Sequence, residues 1–140
     1  MEHPWGRLRE LGDWLIGWAH LPVDLVGITH HNARVIVLDK RLLQAERRCT
    51  LAHELEHVAR GPLPADPVLA AREEASIDEV VARRLISLCA LGDALAWSQE
   101  PHEAADLLWV DVPTLRARLA SLEPAERAYL IQRTEHHGCS

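Results

Sequence analysis

Phenylalanine is absent from this 140-residue sequence, and tyrosine occurs once, so five tryptophans supply most of an aromatic content of only 4%. Core volume must then come from Leu, Val, Ile and Ala, which favours helices. Cysteine is scarce and scattered. Cys49, Cys89 and Cys139 show no CxxC spacing, and an odd count argues against a disulfide framework, so free thiols are expected. The N-terminus shows no basic, apolar leader and the sequence no run of about 18 apolar residues, so neither a signal peptide nor a membrane span is expected, and a cytoplasmic location is. Positive charge is in deficit. Fifteen Lys+Arg against 21 Asp+Glu leave a net charge of -6, a poor match to nucleic acid or to an anionic membrane surface. What remains, 48% hydrophobic and 26% charged residues, is the composition of one soluble globular unit. We expect a core over residues 1–100 and a helical segment over 101–140 that does not fold independently.

Leu8, Leu11, Leu15 and Trp18, spaced by three and four, predict an amphipathic helix over Arg7–Trp18. Residues 24–40 hold two β-branched runs around His30-His31-Asn32 and read as a β-hairpin. A helix over 44–60 should stop at Gly61-Pro62, and three prolines make 61–69 an irregular connection. A further helix over 71–91 should close at Gly92. Shorter ones are expected over 93–99, 101–109, 112–121 and 124–136, with Pro101, Pro113 and Pro124 in first helical turns.

The informative string is His53-Glu54-Leu55-Glu56-His57, an HExxH. Two histidines four apart on a helix stand one turn above each other, so both imidazoles can reach one metal ion, and the glutamate beside the first can meet a water there. Taking His53 as zero on a helical wheel, His57 falls at about 40° and Glu54 at about 100°, whereas Leu51, Leu55, Val58 and Ala59 fall between about 140° and 240°. The metal face and the apolar face are opposite. On the next helix, Glu74 and Asp78 share a stripe with Ile77, Val81, Leu85 and Leu88. Carboxylates on a buried stripe cost several kcal/mol unless a cation or hydrogen-bond donors receive them. Glu74 would complete the ligand set, and Asp78 could accept the other ring N–H of a ligating histidine. The alternative is ion pairing of Glu74 and Asp78 with Arg47, Arg48 or Arg83. Glu73 and Glu79 point elsewhere on the wheel and are expected to be solvated.

HExxH followed by Glu74-Ala-Ser-Ile-Asp78 resembles the gluzincin pattern of thermolysin-like peptidases. In size and order the chain is similar to the ImmA/IrrE family of small metallopeptidases, from the hairpin through Ile86, most specifically over Arg48-Cys-Thr-Leu-Ala-His-Glu-Leu55. The resemblance implies a mainly helical α+β domain with a small sheet over the active-site helix, Zn2+ held by His53, His57 and Glu74, and Glu54 as general base. It also implies a protein substrate, a helix-turn-helix transcriptional repressor. In the related fold an edge strand pairs with extended substrate, which makes 34–39, with Arg34, Val35, Ile36 and Val37, the expected docking strand. Two departures stand out. Glu56 occupies a position where glycine is common, and Ile77-Asp78-Glu79-Val80-Val81 keeps the polar residue after the ligand but lacks the usual aromatic.

Zinc would acidify a water and polarise a peptide carbonyl, while Glu54 takes the water's proton and passes it to the leaving amine. A donor for the developing oxyanion is open among His30, His31, His102, Tyr129, His136 and His137. The segment Ala104–Leu119 resembles a helix-turn-helix, with Arg116 and Arg118 on its second helix. Residues 101–140 nevertheless carry four arginines against six acids, so direct DNA binding is not expected, and docking of protein is. The competing reading is a non-enzymatic DNA-binding or protein-interaction regulator that keeps a structural zinc. A toxin-like member of a two-gene module is a third.

Overall fold

In the computed structural model, which describes residues 3–138 and the side chains through Glu135, Gly12 divides what the leucine spacing joins. Helix α1 covers Pro4–Leu11, Gly12 adopts φ 67°, and Leu15–Ala19 is a strand, β1. The expected helix over Arg7–Trp18 is therefore corrected at its second half. A positive φ that glycine adopts without strain ends the helix, and Leu15–Ala19 finds a strand partner instead.

The hairpin forms from β2, Gly27–His30, and β3, Val35–Asp39, in antiparallel register with His30 opposite Val35. β1 runs parallel to β3 on its other side, with Leu15 opposite Val35, so the strand order is β1-β3-β2. This order overturns the expected docking role of Arg34, Val35, Ile36 and Val37. β3 is central, and a strand with neighbours on both sides has no edge to offer a peptide. Arg34 is itself engaged: its side chain pairs with Asp13, and its carbonyl accepts the Leu15 N–H at 3.0 Å.

Helix α2, Gln44–Arg60, opens with the Glu46 carboxylate accepting the Leu43 N–H at 2.9 Å and ends at Gly61, φ 86°. Its Leu51 and Leu55 pack with Ile36, Leu38 and Leu42 under the sheet, and α1 closes that small core with Trp5, Leu8 and Leu11. Cys49 and Ala52 face a second, larger core.

Helix α3, Pro67–Leu85, starts inside the proline-rich segment because Asp66 caps it, accepting from the N–H groups of Val68 and Leu69. The helix breaks at Ile86, not at Gly92 as expected. Ser87 caps a new helix, α4, Leu88–Trp97, in which Gly92 is an interior residue. A Cβ on Gly92 would stand 3.0 Å from the Tyr129 ring, so the glycine here answers to packing. Helices α5, Pro101–Leu108, α6, Val112–Ala120, and α7, Pro124–Gly138, follow with the three prolines in their first turns.

One apolar cluster joins Ile77, Val81 and Leu85 of α3 to Leu91, Leu108, Leu115 and Leu130 in the four later helices. Ion pairs fasten the same elements. Arg83 donates to the Ser121 carbonyl at 2.7 Å and to Glu126, while Arg118, only 3% exposed, donates to the Ile86 carbonyl at 2.9 Å and to Glu126 at 3.0 Å. The Glu123 N–H and the guanidinium groups of Arg118 and Arg83 hold the Glu126 carboxyl down to about 2. Mainly helical with one small sheet, the chain has the α+β architecture that the sequence implies. Among the described residues no helix is long and apolar enough to cross a membrane.

Candidate metal centre

His53 and His57 project from one face of α2 with their Nε2 atoms 3.2 Å apart. Glu74 reaches them from α3, with Oε2 3.0 Å from His53 Nε2 and Oε1 2.8 Å from His57 Nε2. One ligand atom from each residue lies within 4.8 Å of the other two. Asp78, one turn further along α3, places Oδ1 3.0 Å from His53 Nδ1.

The chemistry of this donor set fits a metal. Asp78 accepts the Nδ1–H of His53, which leaves the Nε2 lone pair aimed at His57 and Glu74. Two imidazole nitrogens and a carboxylate oxygen converging on one point are mutually repulsive unless a proton or a cation lies between them. Burial opposes charge on His53, but the hydrogen bond to Asp78 and the carboxylates of Glu54, Asp78 and Glu74 outweigh it and raise its pKa. The whole surround favours positive charge.

Exposure corrects one expectation. Ile77, Val81 and Leu85 are buried, yet the side chains of Glu74 and Asp78 are 38% and 58% exposed. They stand on the rim of a cleft, not within the apolar stripe, because the 3.6-residue period carries them to the edge of the α3 contact face. The alternative ion pairs are not their partners. Arg83 is spent on Glu126, Arg48 donates to the carbonyls of Leu108 and Trp109, and Arg47 lies 5.0 Å over the Trp18 ring. Glu73 pairs with Arg60 at 2.7 Å. Glu56, 5% exposed, pairs with Arg84 at 3.0 Å, away from the histidines.

Glu54 lies on the sheet side of the centre and is 6% exposed. Its Oε2 accepts from the Thr29 hydroxyl of β2 at 2.6 Å. Gly27 makes this approach feasible, since a Cβ there would come 2.8 Å from Thr50 Cγ2 and 3.1 Å from both Cγ and Oε1 of Glu54. The centre opens into a cleft of about 810 Å³, bounded by Leu25 and Val26 before β2, by Leu63 after α2, and by Pro113 and Thr114 at the start of α6. The sequence reading missed Thr29, Gly27 and the α6 wall. Hairpin register held a clue to the first two, since alternate residues of β2 share one face.

Of the candidates for an oxyanion donor, His31 borders the cleft, whereas Tyr129 packs against Gly92. His30 and His102 are exposed and do not line the cleft, and the side chains of His136 and His137 lie outside the described residues. Cys49 and Cys89 are free thiols, as expected, and Cys139 lies outside the described residues. Burial pushes the Cys49 thiol up to about 11. In the helix-turn-helix-like segment, Arg116 is exposed but Arg118 is buried on Ile86 and Glu126. Of the two arginines on that second helix, Arg118 is therefore taken up by an internal anchor.

The model of the Peptidase_M78 family, described as the IrrE N-terminal-like domain, matches residues 20–105. The match covers more than half of the chain and includes β2, β3, α2, α3 and α4. No curated protein and no solved structure matches the chain.

Proposed function

The chain belongs to the Peptidase_M78 family of IrrE N-terminal-like peptidases, and from that membership we propose that it is a zinc-dependent endopeptidase. His53, His57 and Glu74 hold the metal in this reading, Asp78 orients His53, and Glu54 is the general base. The observation that carries it is the convergence of His53, His57 and Glu74 at the open cleft with Glu54 on the same helix. When bound, the metal supplies Lewis acidity toward the peptide carbonyl. Glu54 takes the proton of the attacking water at its carboxylate and delivers it to the leaving amine. Its burial favours the base role, since few competing waters reach it.

β2 takes over as the docking strand. Asp39 donates its N–H to the Val26 carbonyl at 2.9 Å, so in this register the main-chain groups of Val26, Ile28 and His30 face β3. Those of Gly27 and Thr29 face the open edge beside the metal centre, where an extended segment can add as a further strand. Such a segment suits a protein substrate, and the family resemblance makes a helix-turn-helix repressor the substrate we propose, with residues 101–138 docking protein, not DNA. The regulator with a structural zinc is disfavoured by the three-residue donor set, because structural sites close with four protein ligands.

Glu54→Gln tests the reading. The amide keeps the shape but cannot accept the proton, so the variant should bind one zinc per chain, hold its fold and cleave repressor about 10²–10⁴-fold more slowly. Turnover equal to that of the parent would remove Glu54 from the chemistry.

A further inference from the structure

We propose that Thr29 is a positioning residue for Glu54, fixing which carboxylate oxygen faces the water. The inference rests on the reading of Glu54 as general base. Thr29 Oγ1 lies 2.6 Å from Glu54 Oε2 and 3.3 Å from the Glu54 carbonyl oxygen. A hydroxyl has one proton to give, and 2.6 Å is the length of an O–H donating to an ionised carboxylate. The Glu54 carbonyl lies within α2, where the helix's own N–H ladder serves it. The proton therefore belongs to Oε2.

Gly27, on the same face of β2, does the complementary work. Its missing Cβ would stand 3.1 Å from Oε1, so the strand that grips one oxygen leaves room beside the other. A carboxylate torsion is broad and roughly two-fold, and without a donor on one side the two oxygens exchange roles freely. With Oε2 tied to the sheet, Oε1 is the oxygen left for the water. A general base loses rate steeply when its acceptor atom is misplaced by about 1 Å.

The test uses the full chain loaded with zinc, and Thr29→Val, which keeps the branched shape and the strand backbone while removing the donor. Against casein, and against a helix-turn-helix repressor if one is cleaved, kcat should fall about 10–100-fold, with KM and zinc affinity within about twofold of the parent. Thr29→Ser restores the hydroxyl and should recover kcat to within about threefold. A second readout needs no turnover. Acetohydroxamate, a metal-binding acid whose hydroxyl proton a carboxylate at Glu54 can accept, is titrated into the cobalt-loaded protein and followed in the visible spectrum. Its affinity should drop about tenfold in Thr29→Val and return in Thr29→Ser. Equal kcat in Thr29→Val and parent overturns the proposal, and so does a loss of kcat that travels with loss of zinc or is not rescued by serine. If the zinc-loaded parent cleaves neither probe, the peptidase reading fails by itself. Acetohydroxamate then decides on Thr29: equal affinity in all three proteins overturns its positioning role, and a serine-rescued loss upholds it.

Discussion

The two flanks of α2 are built on opposite principles. Toward α3, His53 and His57 meet Glu74 and Asp78, charged or chargeable groups on a half-open rim. Toward β2, Glu54 is buried and meets one neutral hydroxyl and the gap left by a glycine. A flank meant for a cation gathers more donors and negative charge than the chain can satisfy internally. On the proposed reading the base flank supplies one hydrogen bond to the carboxylate and leaves its other oxygen for the water. Metal retention and proton transfer should therefore be separable by mutation, although both sets of residues leave the same helix.

The largest effect falls on the α3 flank. His53→Ala removes a nitrogen from the donor set, and zinc content should fall from one per chain to near zero while the Glu54 flank keeps its packing. Metal analysis beside a circular dichroism spectrum checks this. Zinc near one per chain would place the metal elsewhere. Asp78→Ala leaves all three donor atoms and removes only the acceptor on His53 Nδ1, so affinity should weaken about 10–100-fold in a competition titration. Parent affinity would mean that the imidazole is oriented by packing alone.

The smallest effect lies away from both flanks, at Glu126. Its carboxyl is held at about 2 against an ordinary 4.5, so its contribution is present above pH 4.5 and fades as the pH falls through that range toward 2. Glu126→Gln should lower the melting temperature of the metal-free protein by roughly 3–6 °C at pH 7. Between pH 4.5 and 2 the parent should lose more of its stability than the variant, and parallel acid profiles would show that the pairs with Arg83 and Arg118 contribute nothing.

Much of the metal flank was legible in the sequence because it obeys a local rule. HExxH and Glu74-Ala-Ser-Ile-Asp78 are helical spacings, and helical spacing fixes which side chains share a face. The C-terminal helices were legible for a similar reason, since Pro101, Pro113 and Pro124 mark first turns. Leu15 and Trp18 misled because they continue the spacing of Leu8 and Leu11 across Gly12, and only pairing with β3 shows them as strand. β3 was misread as an edge for the same cause: a hairpin reads as two edges until a third strand from elsewhere in the chain claims one of them. The break at Ile86 was hidden because apolar residues continue on both sides of it. Thr29 belongs to the other flank and depends on register across 25 positions, which no window on the sequence contains.

Arg83 and Arg118 give the molecule a direction in time. Synthesis proceeds from the N-terminus at about 5–20 residues per second, so Glu74 leaves the peptidyl-transferase centre several seconds before Glu126 is added. Until then α3 lacks the carboxylate that Arg83 grips, and Arg118, made eight residues earlier and already able to anchor α6 to the Ile86 carbonyl, lacks its ion partner. The helix bearing Glu74 and Asp78 gains a brace from residues made well after it, and a nascent chain stopped short of α7 lacks that brace.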